Sequence, residues 1–150
     1  MIQPSDNTFP ISVLIPARPY WPQGLRGCLS SIYTKARNPR GVETMVKVDH
    51  DDPETYKVAT EFSRAYPVKA IIMDGITKYR GIPDYSNTLA WNSSGKILWW
   101  ISDEIRIDSQ DWDVTLIDAV QPWINKNTIF YPVCDDKPRC AHYPIVTRKL

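Results

Sequence analysis

The sequence predicts a Rossmann-like α/β domain, a mostly parallel sheet of about five strands with helices on both faces. Three observations carry that expectation. Short β-branched runs alternate with stretches of helical periodicity in the order β-α-β-α-β-α-β-α-β. Several of these runs are apolar throughout, as strands covered on both faces are. Two of them are followed at once by acids, Asp49-His50-Asp51-Asp52 and Ser102-Asp103-Glu104. In a parallel sheet the carboxyl ends of the strands share one edge, and ligands bind in the crevice there.

Residues 1–10 are polar with two prolines and read as a flexible tail. Ile11–Ile15 is a first strand, closed by Pro16. From Gly24, a stripe of Leu25, Cys28, Leu29, Ile32, Tyr33 and Ala36 marks a helix that Asn38-Pro39-Arg40-Gly41 stops. Val42–Val48 is the second strand. Pro53 and Glu54 open a helix with Val58, Ala59, Phe62, Ala65 and Tyr66 on one face. Val68–Met73 is the third strand, and after a glycine-bearing loop Asp84 can cap a helix running to about Ser93. Gly95 ends that helix, and Ile97–Ile101 is the fourth strand. Trp112–Trp123 reads as helical, Ile129–Val133 as a fifth strand, and the remainder as irregular.

A chain of 150 residues is enough for one core and too short for two. Its 43% apolar and 23% charged content fits a globular protein, and a net charge of +1 gives no electrostatic case for nucleic acid. Six Trp and eight Tyr suit either sugar and nucleotide sites or core filling, the latter being the commoner use. No apolar run approaches the ~20 residues of a membrane helix, and no signal segment opens the chain. Cys28, Cys134 and Cys140 make no disulfide framework, and Cys134, Cys140 and His142 fit no standard zinc spacing. A reducing, cytoplasmic setting is the default expectation.

Acids gathered from two strand ends repel one another, and a cation removes that cost. With oxygen ligands and no convergent His or Cys, Mg²⁺ or Mn²⁺ is expected, completing its shell with phosphate oxygens and water. Asp51-Asp52-Pro53-Glu54 also reads as an acidic helix start stabilised by the macrodipole. A P-loop, a G-x-G-x-x-G turn and a G-x-S-x-G elbow are all missing, which argues against P-loop hydrolases, dinucleotide dehydrogenases and α/β-hydrolases.

With these motifs in view, the sequence resembles the inverting family-2 glycosyltransferases of GT-A fold. "ISVLIPAR" at Ile11–Arg18 is similar to their opening strand and "GLRGCLSSI" at Gly24–Ile32 to their first helix. "VETMVKVDHDDPET" from Val42 resembles their second strand with its nucleotide-contacting aspartate at Asp49. "NTLAWNSSGKILWWISDE" from Asn87 resembles the stretch leading into their Asp-x-Asp motif, and "DWD" at Asp111–Asp113 has a counterpart shortly after it. The likeness spans about residues 11–120.

The resemblance implies that Pro16, Ala17 and Arg18 border the base and phosphates and that Asp49 accepts a hydrogen bond from the base. Arg80 and Asn87 would shape the nucleotide pocket, with Asp51, Ser102 and Asp103 also among the nucleotide-sugar-binding positions. Asp103 and Glu104 would hold the metal, although the motif's first acid is replaced by Ser102 and its last by Glu104. The implied reaction is transfer of a sugar from a nucleoside diphosphate to a hydroxyl acceptor, the cation stabilising the leaving group. Residues 11–133 form the nucleotide-sugar-binding domain in this reading. Residues 134–150, with "HYPIVTRKL" at their end, resemble the start of an acceptor-side region that is cut short. The general base is unassigned, since Asp135, Asp136 and His142 all read as turn or surface residues. Two alternatives stay open. One is a non-catalytic nucleotide-sugar-binding module. The other is a nucleotidyltransferase, although Pro16–Gly24 lacks its glycine-rich basic loop. Self-association would cover any apolar patch left exposed.

Overall fold

The computed structural model describes residues 9–75, 81–130 and 143–148. Strand β1 (Ile11–Pro16) leads through helix α1 (Pro22–Lys35) to β2 (Val42–Asp49), and α2 (Pro53–Ser63) leads to β3 (Val68–Met73). Helix α3 (Ile82–Asn92) precedes β4 (Ile97–Trp100), and α4 (Trp112–Val120) precedes the short strands β5 (Ile129–Phe130) and β6 (Ile145–Thr147). The strands form one sheet in the order β3-β2-β1-β4-β6-β5. The first four are parallel, and β6 runs antiparallel to both β4 and β5.

The expected α/β class and mostly parallel sheet are therefore present, with one strand more than expected. Strand β6 comes from the tail that reads as irregular in sequence. It is three residues long, too brief for alternation to show, and it is made a strand by pairing Thr147, Val146 and Ile145 with Ile97, Leu98 and Trp99.

Strand parity sorts the side chains into two layers. Ile11, Val13 and Ile15 of β1 and Val42, Val46 and Val48 of β2 join Leu25, Leu29 and Ile32 of α1, Val58 of α2 and Trp112 of α4 in the main core. The other face buries Leu14, Met45, Leu89 and Leu98 beneath α3. Helices thus cover both faces, as expected. The same parity sends Glu43, Met45, Lys47 and Asp49 of β2 to the α3 side, which places the last two beside the carboxyl edge.

Several local expectations shift in detail. Helix α1 begins at Pro22, using the missing proline N–H where no partner is needed. Asp84 is not the residue preceding α3. Gly81 is, and the Asp84 carboxylate accepts from its N–H at 3.2 Å. Gly95 serves packing rather than helix termination. Its N–H donates to Ser12 Oγ at 2.8 Å, and a Cβ there would lie 2.5 Å from the Ser12 backbone nitrogen. Cys28 is buried as expected, and burial pushes its thiol up to about 12. No helix among the described residues is long and apolar enough to cross a membrane.

Candidate functional site

The parallel register brings three loops to one edge of the sheet. Ala17 N–H donates to Lys47 C=O at 3.1 Å and Ile101 N–H to Leu14 C=O at 3.1 Å, so the chain after β1, β2 and β4 stays in step past the strands. Between these loops and the start of α3 lies a cavity of about 810 Å³. Pro16, Ala17, Arg18, Lys47, Asp49, Ser102 and Glu104 border it on the sheet side. Ile82, Pro83, Tyr85 and Ser86 border it from α3, and Trp100, Tyr143 and Pro144 complete an apolar, aromatic wall.

Arg18 organises the β1 and β4 ends. Its backbone N–H donates to Asp103 Oδ2 at 2.8 Å, its Nε to Asp103 Oδ1 at 3.3 Å, and its Nη2 to Glu104 Oε2 at 2.7 Å. The guanidinium carbon stands 4.4 Å from the Trp21 ring centre, a cation–π contact. Asp103 is 0% exposed, whereas the Arg18 side chain is 52% exposed and turned to the cavity. The hydrogen bond to Asp103 raises the already high Arg18 pKa, burial works against it, and Glu104 adds to the rise. The turn that presents both acids is self-built: Ile105 N–H donates to Ser102 C=O at 3.1 Å and Glu104 N–H to Ser102 Oγ at 3.3 Å.

At the β2 end, Lys47 Nζ donates to Asp49 Oδ1 and lies 4.4 Å over the Tyr85 ring centre. Both members of this ion pair are almost wholly buried. Burying two charges is costly unless they are paired and hydrogen-bonded, so the pairing is what lets Asp49 stand at the cavity edge.

The expected site residues divide accordingly. Pro16, Ala17, Arg18, Asp49, Ser102 and Glu104 converge on the cavity. Asp103 sits behind it, holding Arg18. Asp51 lies outside the lining, on the surface, where its carboxylate accepts from Tyr20 Oη at 2.7 Å. Asn87 is exposed on α3 and outside the lining, while Tyr85 and Ser86 are within it. Arg80, Asp135, Asp136, Cys134, Cys140 and His142 fall outside the described residues.

Two acidic features resolve as structural. Asp52 caps α2: it accepts from Thr55 N–H at 3.1 Å, Thr55 Oγ1 at 2.7 Å and Tyr20 N–H at 2.6 Å. Burial alone would raise its pKa, but the Thr55 and Tyr20 hydrogen bonds and nearby Lys47 outweigh that and hold it below the ordinary carboxylate range. Asp113 is buried and accepts from the N–H groups of Arg37 and Asn38 at 2.8 and 2.9 Å, while Trp112 Nε1 donates to Ile32 C=O at 2.9 Å. The "DWD" segment therefore ties α4 to the end of α1, on the face away from the cavity.

Lys47, Tyr85, Trp100 and Tyr143 are absent from the sequence-based selection. Lys47 had a readable signal, because it sits two residues before Asp49 and so shares its face. Tyr143 had none, coming from the segment that reads as irregular.

The expected electrostatics also change. The acids at this edge are compensated by Arg18 and Lys47, so their mutual repulsion does not by itself call for a metal. Among the described residues no group of three or more His, Cys, Asp or Glu is gathered closely enough to hold an ion.

No protein-family model matches the chain, and no curated protein does. Solved structures do. Residues 1–349 of TarS from S. aureus align with a TM-score of 0.64 at 14% identity, covering 81% of this chain and 34% of that one. The same protein in complex with UDP-GlcNAc aligns at 0.61 and 15%, over 81% and 33%. The mannosyltransferase PcManGT from Pyrobaculum calidifontis, in complex with GDP-Man and Mn²⁺, aligns at 0.65 and 16%, over 93% and 44%. At such identities the likeness shows the fold, a GT-A-like glycosyltransferase fold. The chain spans between a third and somewhat under half of the length of these structures.

Proposed function

We propose that the cavity binds a nucleoside-diphosphate sugar and that the chain is the donor-binding part of a glycosyltransferase, passing a hexose-like sugar to a hydroxyl acceptor. One observation carries this reading: residues from the ends of β1, β2 and β4 border a single cavity of about 810 Å³ in a fold shared with a GDP-Man complex. Asp49 accepts from the base, with the Lys47 ammonium beside it. Tyr85, Trp100 and Tyr143 offer flat apolar walls for base or sugar. Arg18 faces the diphosphate, and Pro16, Ala17 and Ser102 line the floor between the two ends.

The resemblance also implies Mg²⁺ or Mn²⁺, which would fall to Asp103 and Glu104. As arranged, these carboxylates do not fit a divalent ion. Asp103 is sealed and its two oxygens accept from Arg18, and Glu104 accepts from the same guanidinium.

A second reading, a binding module without transfer, is favoured by the pairing of the two carboxylates that border the cavity among the described residues. Asp49 is held by Lys47 and Glu104 by Arg18, so neither stands ready as a general base for an acceptor hydroxyl.

Calorimetric titration with UDP, GDP and their sugar conjugates tests the common premise. Saturable binding of at least one is expected, and silence from all of them would end both readings. Sugar transfer or sugar-nucleotide hydrolysis would then separate the enzyme from the module.

A further inference from the structure

We infer that Arg18 occupies the role a divalent cation is expected to play: its guanidinium receives the diphosphate directly, Asp103 is the residue that positions it, and Glu104 competes with the phosphate for it. This inference rests on the reading of the cavity as a nucleotide-sugar site.

A metal ion that bridges to a diphosphate needs carboxylate oxygens open to the cavity. Asp103 is 0% exposed, and its oxygens are taken by the Arg18 backbone N–H at 2.8 Å and Nε at 3.3 Å. What Asp103 presents to the cavity is therefore an arginine. That arginine is restrained on two sides, by Asp103 behind it and by the Trp21 ring 4.4 Å from its guanidinium carbon. Restraint lowers the entropy lost on binding an anion. A guanidinium carries five N–H donors, and the contacts to Asp103 and Glu104 use two of them. It remains charged at any working pH, and its planar fork matches phosphate oxygens in pairs. Ser102 fits the same scheme, since the resemblance expects an acid there and a neutral residue adds no repulsion toward a diphosphate.

Glu104 gives the inference its sharpest consequence. Its carboxylate holds Nη2 at 2.7 Å and is itself 54% exposed at the cavity rim. If a metal linked protein to diphosphate, Glu104 would be one of its ligands and its loss would weaken binding. If Arg18 binds the phosphates, Glu104 is a rival acceptor and its neutralisation strengthens binding. The two accounts predict opposite signs for one substitution.

The experiment is a titration of the full chain with UDP and GDP, each in EDTA and again in Mn²⁺, with uridine and guanosine as probes lacking phosphate. The inference predicts binding in EDTA that Mn²⁺ leaves unchanged. It predicts a loss of about tenfold or more in Arg18→Ala, the scale of a hydrogen bond to a charged group, and a smaller loss in Arg18→Lys. Nucleoside binding stays unchanged in both. Glu104→Gln gains roughly threefold, the size expected for removing one exposed neighbouring charge. Arg18→Lys keeps the charge that Asp103 requires, so it covers the case in which Arg18→Ala fails to fold. Nucleotide binding that appears only with Mn²⁺, or that falls in Glu104→Gln, overturns the inference and leaves the nucleotide-sugar reading standing. Failure of every nucleotide in both buffers removes the reading, and the inference with it.

Discussion

Two carboxylates are buried to the same degree at opposite ends of the sheet, Glu43 at the amino end of β2 and Asp103 just past the carboxyl end of β4. Glu43 accepts from Ser12 Oγ at 2.5 Å and from Ser94 N–H at 2.8 Å, and it pairs with Lys69 at 3.6 Å. These partners fasten β1 and β2 to the turn before β4, and none of them lines the cavity. Asp103 accepts from Arg18, whose other end is open to the cavity. Burial alone therefore says nothing about use. What separates the two acids is where their partners lead: Ser12, Ser94 and Lys69 lie away from the cavity, whereas Arg18 borders it.

The largest expected effect divides these two acids. Glu43→Ala and Asp103→Ala should each destabilise the fold by roughly 1–3 kcal/mol, because each strands hydrogen-bond donors that a buried carboxylate had satisfied, while the cationic partners Lys69 and Arg18 stay solvated. Urea unfolding measures this, and nucleotide affinity then separates them: Asp103→Ala should bind weakly and Glu43→Ala normally. Equal losses of affinity in both variants would dissolve the distinction between the two ends.

At the carboxyl end of β2, Asp49 stands at the cavity and Asp52, three residues on, caps α2. Asp52→Ala should cost about 1 kcal/mol, the usual value of an N-cap, with little change in nucleotide binding. The acid also leaves a pH signature. Its folded pKa is depressed, so its contribution is present above the unfolded value of about 3.9 and is lost as pH falls through the lower folded value. Unfolding at pH 7 and pH 3 should show a smaller acid loss in Asp52→Ala than in the parent chain. An unchanged difference would mean that folding does not depress this group.

The smallest effect is expected at Trp91, 90% exposed on the outer side of α3. Trp91→Ser should change stability by less than about 0.5 kcal/mol. A larger loss, or a change in oligomeric state on sizing, would show that this face of α3 is covered in solution.

Much of the layering was legible in the residues. The runs at Ile11–Ile15 and Val42–Val48 are apolar enough to announce strands, and the stripe from Leu25 to Ala36 announces α1. The cap role of Asp52 was also readable, from the Asp-Pro-Glu start of α2. What stayed hidden depends on distance along the chain. Nothing near Arg18 shows that Asp103, 85 positions away, will hold it. Nothing near "DWD" shows that Asp113 will bind amides at the end of α1. Acid clusters were visible as acids, but Arg18, the cation that answers Asp103 and Glu104, became visible as their partner only once strand register brought the ends of β1 and β4 together. Lys47 was within reach, because Lys47-Val48-Asp49 places both charges on one face.

The most direct test is a crystal structure of the chain with bound UDP or GDP, whichever binds more tightly. The account predicts a base beside Asp49 and Lys47 and phosphate oxygens in hydrogen-bond contact with the Arg18 guanidinium, which remains anchored on Asp103. A diphosphate lying away from Arg18, or a nucleotide bound outside the cavity bordered by β1, β2 and β4, would contradict it.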